Sequence, residues 1–272
     1  MIYFCATPIG NLEDTTLRVI RILKEVDVIA AEDTRQALKF LNHYGISKRI
    51  LSYHHHNRMY AGQRIIELAK SGKIIAVLSD AGMPGISDPG SDLVRLAREN
   101  SIPFTLLPGP SAALSALLLS GMDSSRFVFE GFLPKDKKTR KARMQELKCE
   151  LRTTIIFEAP HRLIATLEEL YEVIGNRQIT VARELTKLFE EVFVCDLEEA
   201  ISRFKQCDPK GEIALVLKGA QIEEKDAFLN ISVKKHLESY INAGLDKKEA
   251  IKQVALDRKM PKSQVYKYTI DD

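Results

Sequence analysis

In the segment Ile74-Ile75-Ala76-Val77-Leu78-Ser79-Asp80-Ala81-Gly82-Met83-Pro84-Gly85-Ile86-Ser87-Asp88-Pro89-Gly90, an apolar run meets a dense cluster of turn formers. Ile74 to Val77 reads as a buried strand. Three glycines, two prolines and two aspartates follow within eleven residues, a composition that neither extends a strand nor opens a helix cleanly. The chain is therefore expected to loop at the carboxyl end of a strand, where open α/β sheets bind ligands. Proline fixes φ and glycine permits the tight turns, so backbone groups are offered to a ligand at little ordering cost.

Outward from this loop, strand-like and helix-like segments alternate. Strands are expected at Ile2–Cys5, Val28–Ala31, Ile50–Tyr53, Ile74–Ser79 and Phe104–Leu107, with helices at Thr15–Glu25, Arg35–Tyr44, Arg58–Ser71, Ser91–Asn100 and Ser111–Ser120. That alternation predicts a mostly parallel sheet covered on both faces. Gly121-Met122-Asp123-Ser124-Ser125 marks a domain boundary. Beyond it come strands at Phe127–Glu130, Thr154–Phe157, Ile179–Arg183, Glu190–Cys195 and Ile213–Leu217, and helices through Lys137–Leu151 and His161–Ile174. Two nearly consecutive strands flank Glu184–Glu190, so this half is expected to be mixed rather than purely parallel. In the last forty residues Ser232 caps a helix ending at Gly244, and Asp246 with Glu249 resembles a capping box for a helix through Arg258. A third helix covers Gln264–Tyr268. The fold class is α/β: two domains, 1–122 and 123–222, and a helical tail, 223–272, like a helix-turn-helix.

The 272 residues suffice for one large or two modest domains. No apolar run approaches the roughly 18 residues that span a bilayer. The amino terminus reads as a strand without a basic region or cleavage signal. Cys5, Cys149, Cys195 and Cys207 are scattered with no CxxC pair, which argues against a zinc site or disulfide framework and fits a reducing cytoplasm. Net charge is only +3, but Leu133 to Arg152 holds eight Lys and Arg against three acids. That stretch is either a solvated helix face or a phosphate-binding surface. The tail has the same two readings, docking on its own chain or a sister subunit, or touching nucleic acid.

Two further loops follow apolar strands. Thr7-Pro8-Ile9-Gly10-Asn11-Leu12-Glu13-Asp14 makes a tight turn, with Asp14-Thr15 capping the next helix. It is not GxGxxG, and GxxxxGK[ST] is absent, so a Rossmann site is poorly supported and a P-loop excluded. Leu106-Leu107-Pro108-Gly109-Pro110-Ser111-Ala112-Ala113 leads into a helix of small residues, with Ser111 placed as its N-cap. Three rigid loops at strand carboxyl ends in one half-chain are a stronger signal than any one of them.

Pro8-Ile9-Gly10-Asn11-Leu12, Ala31-Glu32-Asp33-Thr34-Arg35, Ser79–Gly90, Pro108–Ala112 and Glu158-Ala159-Pro160-His161-Arg162 occur in this order. Together they closely resemble the tetrapyrrole-methylase-like S-adenosylmethionine (SAM) methyltransferases. Within these the match is to the small-subunit ribosomal RNA methyltransferase I branch, which methylates the ribose 2′-oxygen of a decoding-region cytidine in 16S rRNA. The resemblance covers essentially the whole chain. It implies a homodimeric cytoplasmic enzyme with SAM in a cleft between the two α/β domains and the small ribosomal subunit as partner. It assigns SAM contacts to Pro8, Ser79, Asp80, Gly82, Ile86, Ser111, Ala112, Glu158, Leu185 and Ala214. Ser79 stands where the family usually has glycine.

A ribose hydroxyl is a poor acid, so a base, a cation or a positioning hydrogen bond must assist as its proton leaves. Candidate catalytic groups are Glu158, ranked first as a polar cleft group, Asp33 and His161. Substrate contacts are assigned to Asn11, Arg35, Arg162 and Lys187, the cations among them available to hold phosphates. Asp33 and Arg35 have the alternative of pairing with one another, and His161 of capping a helix. His54-His55-His56 invites a metal reading, but successive residues of an extended segment point to opposite faces; no metal is expected, and one of the three histidines is placed in the cleft. The rival readings are a same-fold methyltransferase acting on a tetrapyrrole or protein side chain, and a non-catalytic ribosome- or RNA-binding protein.

Overall fold

The computed structural model describes residues 1–207, 209–221, 231–258 and 260–268. Met1–Ala220 form one compact unit and Gln221–Asp272 a second. The boundary expected at 222–223 lies outside the described residues.

The first sheet contains β1 (Ile2–Cys5), β2 (Val28–Ala31), β3 (Arg49–Ser52), β4 (Ile75–Leu78) and β5 (Phe104–Leu107), in the order β3-β2-β4-β1-β5. Every pairing is parallel. Because side chains alternate along a strand, β1, β2 and β4 feed two cores. Ile2, Phe4, Val28, Ala30, Ile75 and Val77 pack with α3 (Arg58–Lys70) and α4 (Gly90–Glu99). Cys5, Ile29, Ala31, Ala76 and Leu78 pack with α1 (Leu17–Glu25) and α2 (Thr34–His43). One cap differs from expectation. Asn11 caps a short 3-10 helix, Leu12–Asp14, and Thr16 caps α1 by accepting the Val19 N–H at 3.2 Å, because that turn separates Asp14 from the helix.

The second sheet is mixed, as the closely spaced strands predict. It comprises β6 (Phe127–Phe132), β7 (Thr153–Glu158), β8 (Gln178–Arg183), β9 (Glu191–Asp196) and β10 (Ile213–Leu217), ordered β6-β7-β10-β8-β9. β6 and β7 are parallel; β10 is antiparallel to β7 and β8, and β8 to β9. Three helices, α6 (Lys137–Cys149), α7 (Pro160–Ile174) and α8 (Leu197–Gln206), cover one face. The sequence reading has no counterpart of α8, though Leu197, Ala200 and Phe204 recur at helical spacing and acids precede bases along it.

α5 (Ala112–Ser120) leaves the first sheet and lies on the free face of the second. There Ala113, Ala116 and Leu117 meet Ile155, Ala182, Ala214 and Val216. The sequence explains why: with little but Ala and Leu around its circumference, α5 has no polar face to give to water. Its crossing joins the two sheets into one unit.

In the tail unit, α9 (Val233–Asn242), α10 (Lys247–Asp257) and α11 (Lys262–Lys267) enclose a small core of Leu237, Ile251, Val254 and Val265. Ser232 and Asp246 cap the first two, accepting from Lys235 N–H at 3.3 Å and Glu249 N–H at 2.7 Å. No described helix is long and apolar enough to cross a membrane.

Burial pushes the Cys5 thiol up to about 12 and the Cys195 thiol up to about 11, while Cys149 and Cys207 are exposed. Iodoacetamide at pH 8 is therefore expected to alkylate Cys149 and Cys207 and to spare the other two until the protein is unfolded. Peptide mass spectrometry reads the result.

Candidate active site

The loops after β1 and β4 are zipped by backbone. Thr7 N–H donates to Gly82 O at 3.0 Å, and Gly82 N–H to Thr7 O at 3.1 Å. Ser79 completes the joint: its buried hydroxyl donates to Gly82 O at 2.7 Å, and Thr7 Oγ1 donates to Ser79 O at 3.1 Å. Ser79 thus closes the loop with its own side chain. Further along, Asp88 Oδ1 accepts from Gly85 and Gly90 N–H, both at 2.7 Å. Asp80 Oδ1 accepts the Asp33 N–H at 2.9 Å and so draws the loop after β2 into the same assembly. Ser111 caps α5 beside them, accepting from Leu114 N–H at 3.4 Å.

These loops face the carboxyl ends of β7 and β8 across a cavity of about 390 Å³, within the usual size of a small-molecule site. Ser79, Asp80, Gly82, Ile86, Ser111, Ala112, Glu158, Leu185 and Ala214 all line it. Pro8 does not; it lines an adjoining cavity of about 490 Å³ together with Gly10, Asp33, Lys39 and Lys187. Ile9, Ser79, Asp80, Ala81 and Glu212 belong to both walls, so the two spaces meet at Asp80. Sequence reasoning left out Glu32, Asp88, Phe132, Phe157 and Glu212 from the first cavity. Glu32 and Asp88 carried a signal, inside the Ala31–Arg35 and Ser79–Gly90 motifs.

The two spaces differ in charge. The first is walled by Ile9, Met83, Phe132, Phe157 and Ile213 with the carboxylates of Glu32, Asp80 and Asp88, and among the described residues no Lys, Arg or His lines it. Burial raises the pKa of Glu32, and the neighbouring Asp80 and Asp88 add to the rise; burial does the same for Asp88. Such a wall suits an apolar ligand carrying positive charge. The second contains Lys39 and Lys187. Burial works against the Lys187 charge, yet hydrogen bonding to Glu184 Oε1 at 2.8 Å and the pull of Glu212 raise its pKa, so it remains an ammonium.

Glu158 has a role other than the expected one. Its side chain is 0% exposed. Oε1 accepts the Ala159 N–H at 2.8 Å and lies 3.4 Å from the Arg162 guanidinium, while Oε2 accepts the Thr166 hydroxyl at 2.6 Å. Thr166 Oγ1 in turn accepts from Arg140 Nη2 at 2.8 Å. Only backbone of Glu158 reaches the cavity; the carboxylate anchors the start of α7, out of reach of any substrate proton. Asp33 caps α2 and is held by Arg35 at 2.8 Å through its N–H and 2.9 Å through its guanidinium, which lowers its pKa to about 2. A carboxylate so placed is a poor base at neutral pH. Asp33 and Arg35 therefore do pair.

The other expected groups lie apart. His161 is exposed and Asn11 caps its own turn; neither lines either cavity, nor do Arg35 and Arg162. Arg162 is occupied by Glu158 and by Leu133 O at 3.2 Å. His55 lines a third recess with Glu32, Arg58 and Asp88, whereas His54 Nδ1 accepts from Asn57 N–H at 3.3 Å. In the basic stretch, Arg140, Arg143 and Arg152 are paired with Glu169, Glu130 and Glu150. Its free positive charge therefore rests on exposed lysines such as Lys137, Lys138 and Lys141.

At Gly10 the two halves meet closely. A Cβ there would stand 2.5 Å from Lys187 Cγ and 2.7 Å from Leu185 O, the latter backbone that cannot swing away. Gly10→Ala should cost about 1–3 kcal/mol, as overpacking does, and shift the 185–187 segment from both cavities. A melting temperature equal to that of the parent protein would contradict this packing.

Residues 1–201 match the family Tetrapyrrole (Corrin/Porphyrin) Methylases. The Ribosomal RNA small subunit methyltransferase I of Halalkalibacterium halodurans is 46% identical over 268 residues, 97% of this chain and 93% of that protein. Its namesake in Bacillus subtilis is 46% identical over 270 residues, 98% and 92% of the two chains. The crystal structure of diphthine synthase superposes with a TM-score of 0.63 at 17% identity, covering 80% of this chain and 89% of that one. Uroporphyrin-III-C-methyltransferase from Thermus thermophilus gives 0.57 at 19%, covering 79% and 93%. These two establish the shared fold alone. The chain belongs to the tetrapyrrole (corrin/porphyrin) methylase family and, within it, to the ribosomal RNA small subunit methyltransferase I group.

Proposed function

We propose that this protein is a SAM-dependent methyltransferase acting on the ribose 2′-oxygen of a cytidine in the decoding region of 16S rRNA, and that it works as a cytoplasmic homodimer. The observation that carries the reading is the pair of joined cavities: an apolar, acidic one with no basic side chain among the described residues, opening past Asp80 into one holding Lys39 and Lys187. The first fits SAM, a cation with an apolar body. The second fits a nucleotide with its phosphate. The names of the relatives supply the substrate class. The exposed Leu114, Leu118 and Leu119 on α5 supply an apolar face for a second subunit.

When bound, SAM supplies a methyl group made electrophilic by its sulfonium. The chain's own part is to bind and align. Glu32, Asp80 and Asp88 surround the positive charge; Gly82 and Ala112 leave room for close approach; Ile9, Ile86, Leu185 and Ala214 exclude water. Aligning acceptor and donor within near-attack distance supplies up to roughly 7–11 kcal/mol. Lys187 holds an anionic group of the RNA in the second cavity, its position fixed by Glu184 and Glu212. Glu158 acts as an anchor under this floor. Neither it nor Asp33 takes the hydroxyl proton.

Glu32 and Asp88 have raised pKa values, so these two protonate at higher pH than ordinary acids, and attraction for a cation fades as pH falls. Calorimetric affinity for SAM is expected to weaken as the pH falls into the range where Glu32 and Asp88 protonate, which begins above that of ordinary carboxylates, with Glu32→Gln flattening the profile. Labelled methyl from SAM is expected to appear in 2′-O-methylcytidine when small subunits or 16S rRNA from a strain lacking the modification are offered and digested to nucleosides. Transfer to no RNA, with SAM still bound, would overturn the substrate assignment.

A further inference from the structure

The hairpin between β8 and β9 ends in a turn whose composition is unusual. Turn corners are normally Gly, Pro, Asn, Asp or Ser. Here the Glu190 N–H donates to Lys187 O at 3.1 Å, and the two corner residues are Leu188 and Phe189, 89% and 72% exposed. Two large apolar side chains therefore stand in water at the tip of a tight turn, where a polar pair would serve the fold as well.

The tip is held rigid. Glu184 and Thr186 adopt φ of +51° and +65°, a region costly for side-chain-bearing residues. Their strain is over-determined by neighbours: Thr186 N–H donates to Glu190 Oε2 at 2.6 Å, Glu184 Oε1 accepts from Glu212 N–H at 2.9 Å, and Gly10 packs beneath Leu185 and Lys187. Lys187, the first residue of the turn, also lines the second cavity. The apolar pair thus begins one residue beyond the wall that would receive the target nucleotide.

We propose that Leu188 and Phe189 are a stacking wedge for the RNA, occupying the space beside the target when its nucleotide is drawn out of the stack. This rests on the function proposed above. A nucleotide of folded RNA whose ribose is drawn down to a methyl donor in a cavity opens the step beside it, and an apolar or aromatic side chain commonly fills or stabilises an opened step. A second copy of this chain fits less well. A stable subunit contact buries about 800 Å² per partner, far more than a two-residue corner offers, and the tip is continuous with the cavity that holds Lys39 and Lys187, where the proposed function places the target nucleotide. Rigidity serves the same end, since a wedge ordered in advance loses little entropy on insertion.

The test uses the full chain with Phe189→Ala, Leu188→Ala, the double variant and Phe189→Trp. Calorimetric SAM affinity should match the parent in all four, which also establishes that each is folded. Methylation of small subunits at saturating SAM should fall roughly tenfold or more in kcat/KM for Phe189→Ala, as loss of a stacking partner does, and recover in Phe189→Trp. An rRNA fragment carrying 2-aminopurine beside the target cytidine should brighten on binding the parent protein, and not on binding the double variant. If the parent methylates rRNA and the alanine variants match it, the wedge is wrong and the function stands. If the parent methylates no rRNA, the function itself fails. A lower sedimentation mass for the double variant would overturn the wedge by assigning the tip to a subunit contact.

Discussion

The site depends on one short piece of backbone, the reciprocal hydrogen bonds between Thr7 and Gly82. β1 and β4 are neighbours in the first sheet, so the loops leaving them emerge side by side with peptide groups that must find partners. Each loop satisfies the other, and the Ser79 hydroxyl takes up the remaining capacity of Gly82 O. Once that joint is made, Asp80 is placed where its carboxylate accepts the Asp33 N–H. Three loops from three strands then move as one body. The cavity wall is made of backbone and short side chains, and it needs no ligand to assemble.

The opposite wall comes from the second sheet, and α5 ties it to the first. α5 follows β5 directly but buries its small residues against β7, β8 and β10. An apolar surface of that kind has nowhere else to go. The contact of Gly10 with Leu185 and Lys187 fixes the same relation at the far side of the cleft. Both walls are therefore defined to within a side chain's width, as alignment of two reacting groups requires.

Charge divides the cleft into functions. Carboxylates surround the first cavity, and the second adds the ammonium groups of Lys39 and Lys187 to Asp33, Asp80 and Glu212. Elsewhere the charged residues of the motifs are largely spent on structure. Arg35 holds Asp33, Arg162 meets Glu158, and Arg140 reaches Glu158 through Thr166. A planar guanidinium makes several directed hydrogen bonds at once, which makes these arginines good struts.

Much of this was legible in the chain itself. The alternation of apolar runs and turn formers determined both sheets, because period and punctuation are local properties. The loops of Pro8–Leu12, Ser79–Gly90 and Pro108–Ala112 announced a ligand site, because proline, glycine and aspartate restrict backbone without reference to distant residues. Tertiary structure decided what locality cannot. Pro8 lines the second cavity instead of the first. Glu158 turns its carboxylate inward, because Arg162 and Thr166, in the first and second turns of α7, offer it donors in a place water cannot reach. α5 crosses to the other sheet, and Phe132, Phe157 and Glu212 reach the cleft only because mixed strand order brings β6, β7 and the start of β10 to one edge. A residue's type and spacing determine which interactions it is able to make; which partner arrives, and whether water is excluded when it does, is set by chain segments far away in sequence.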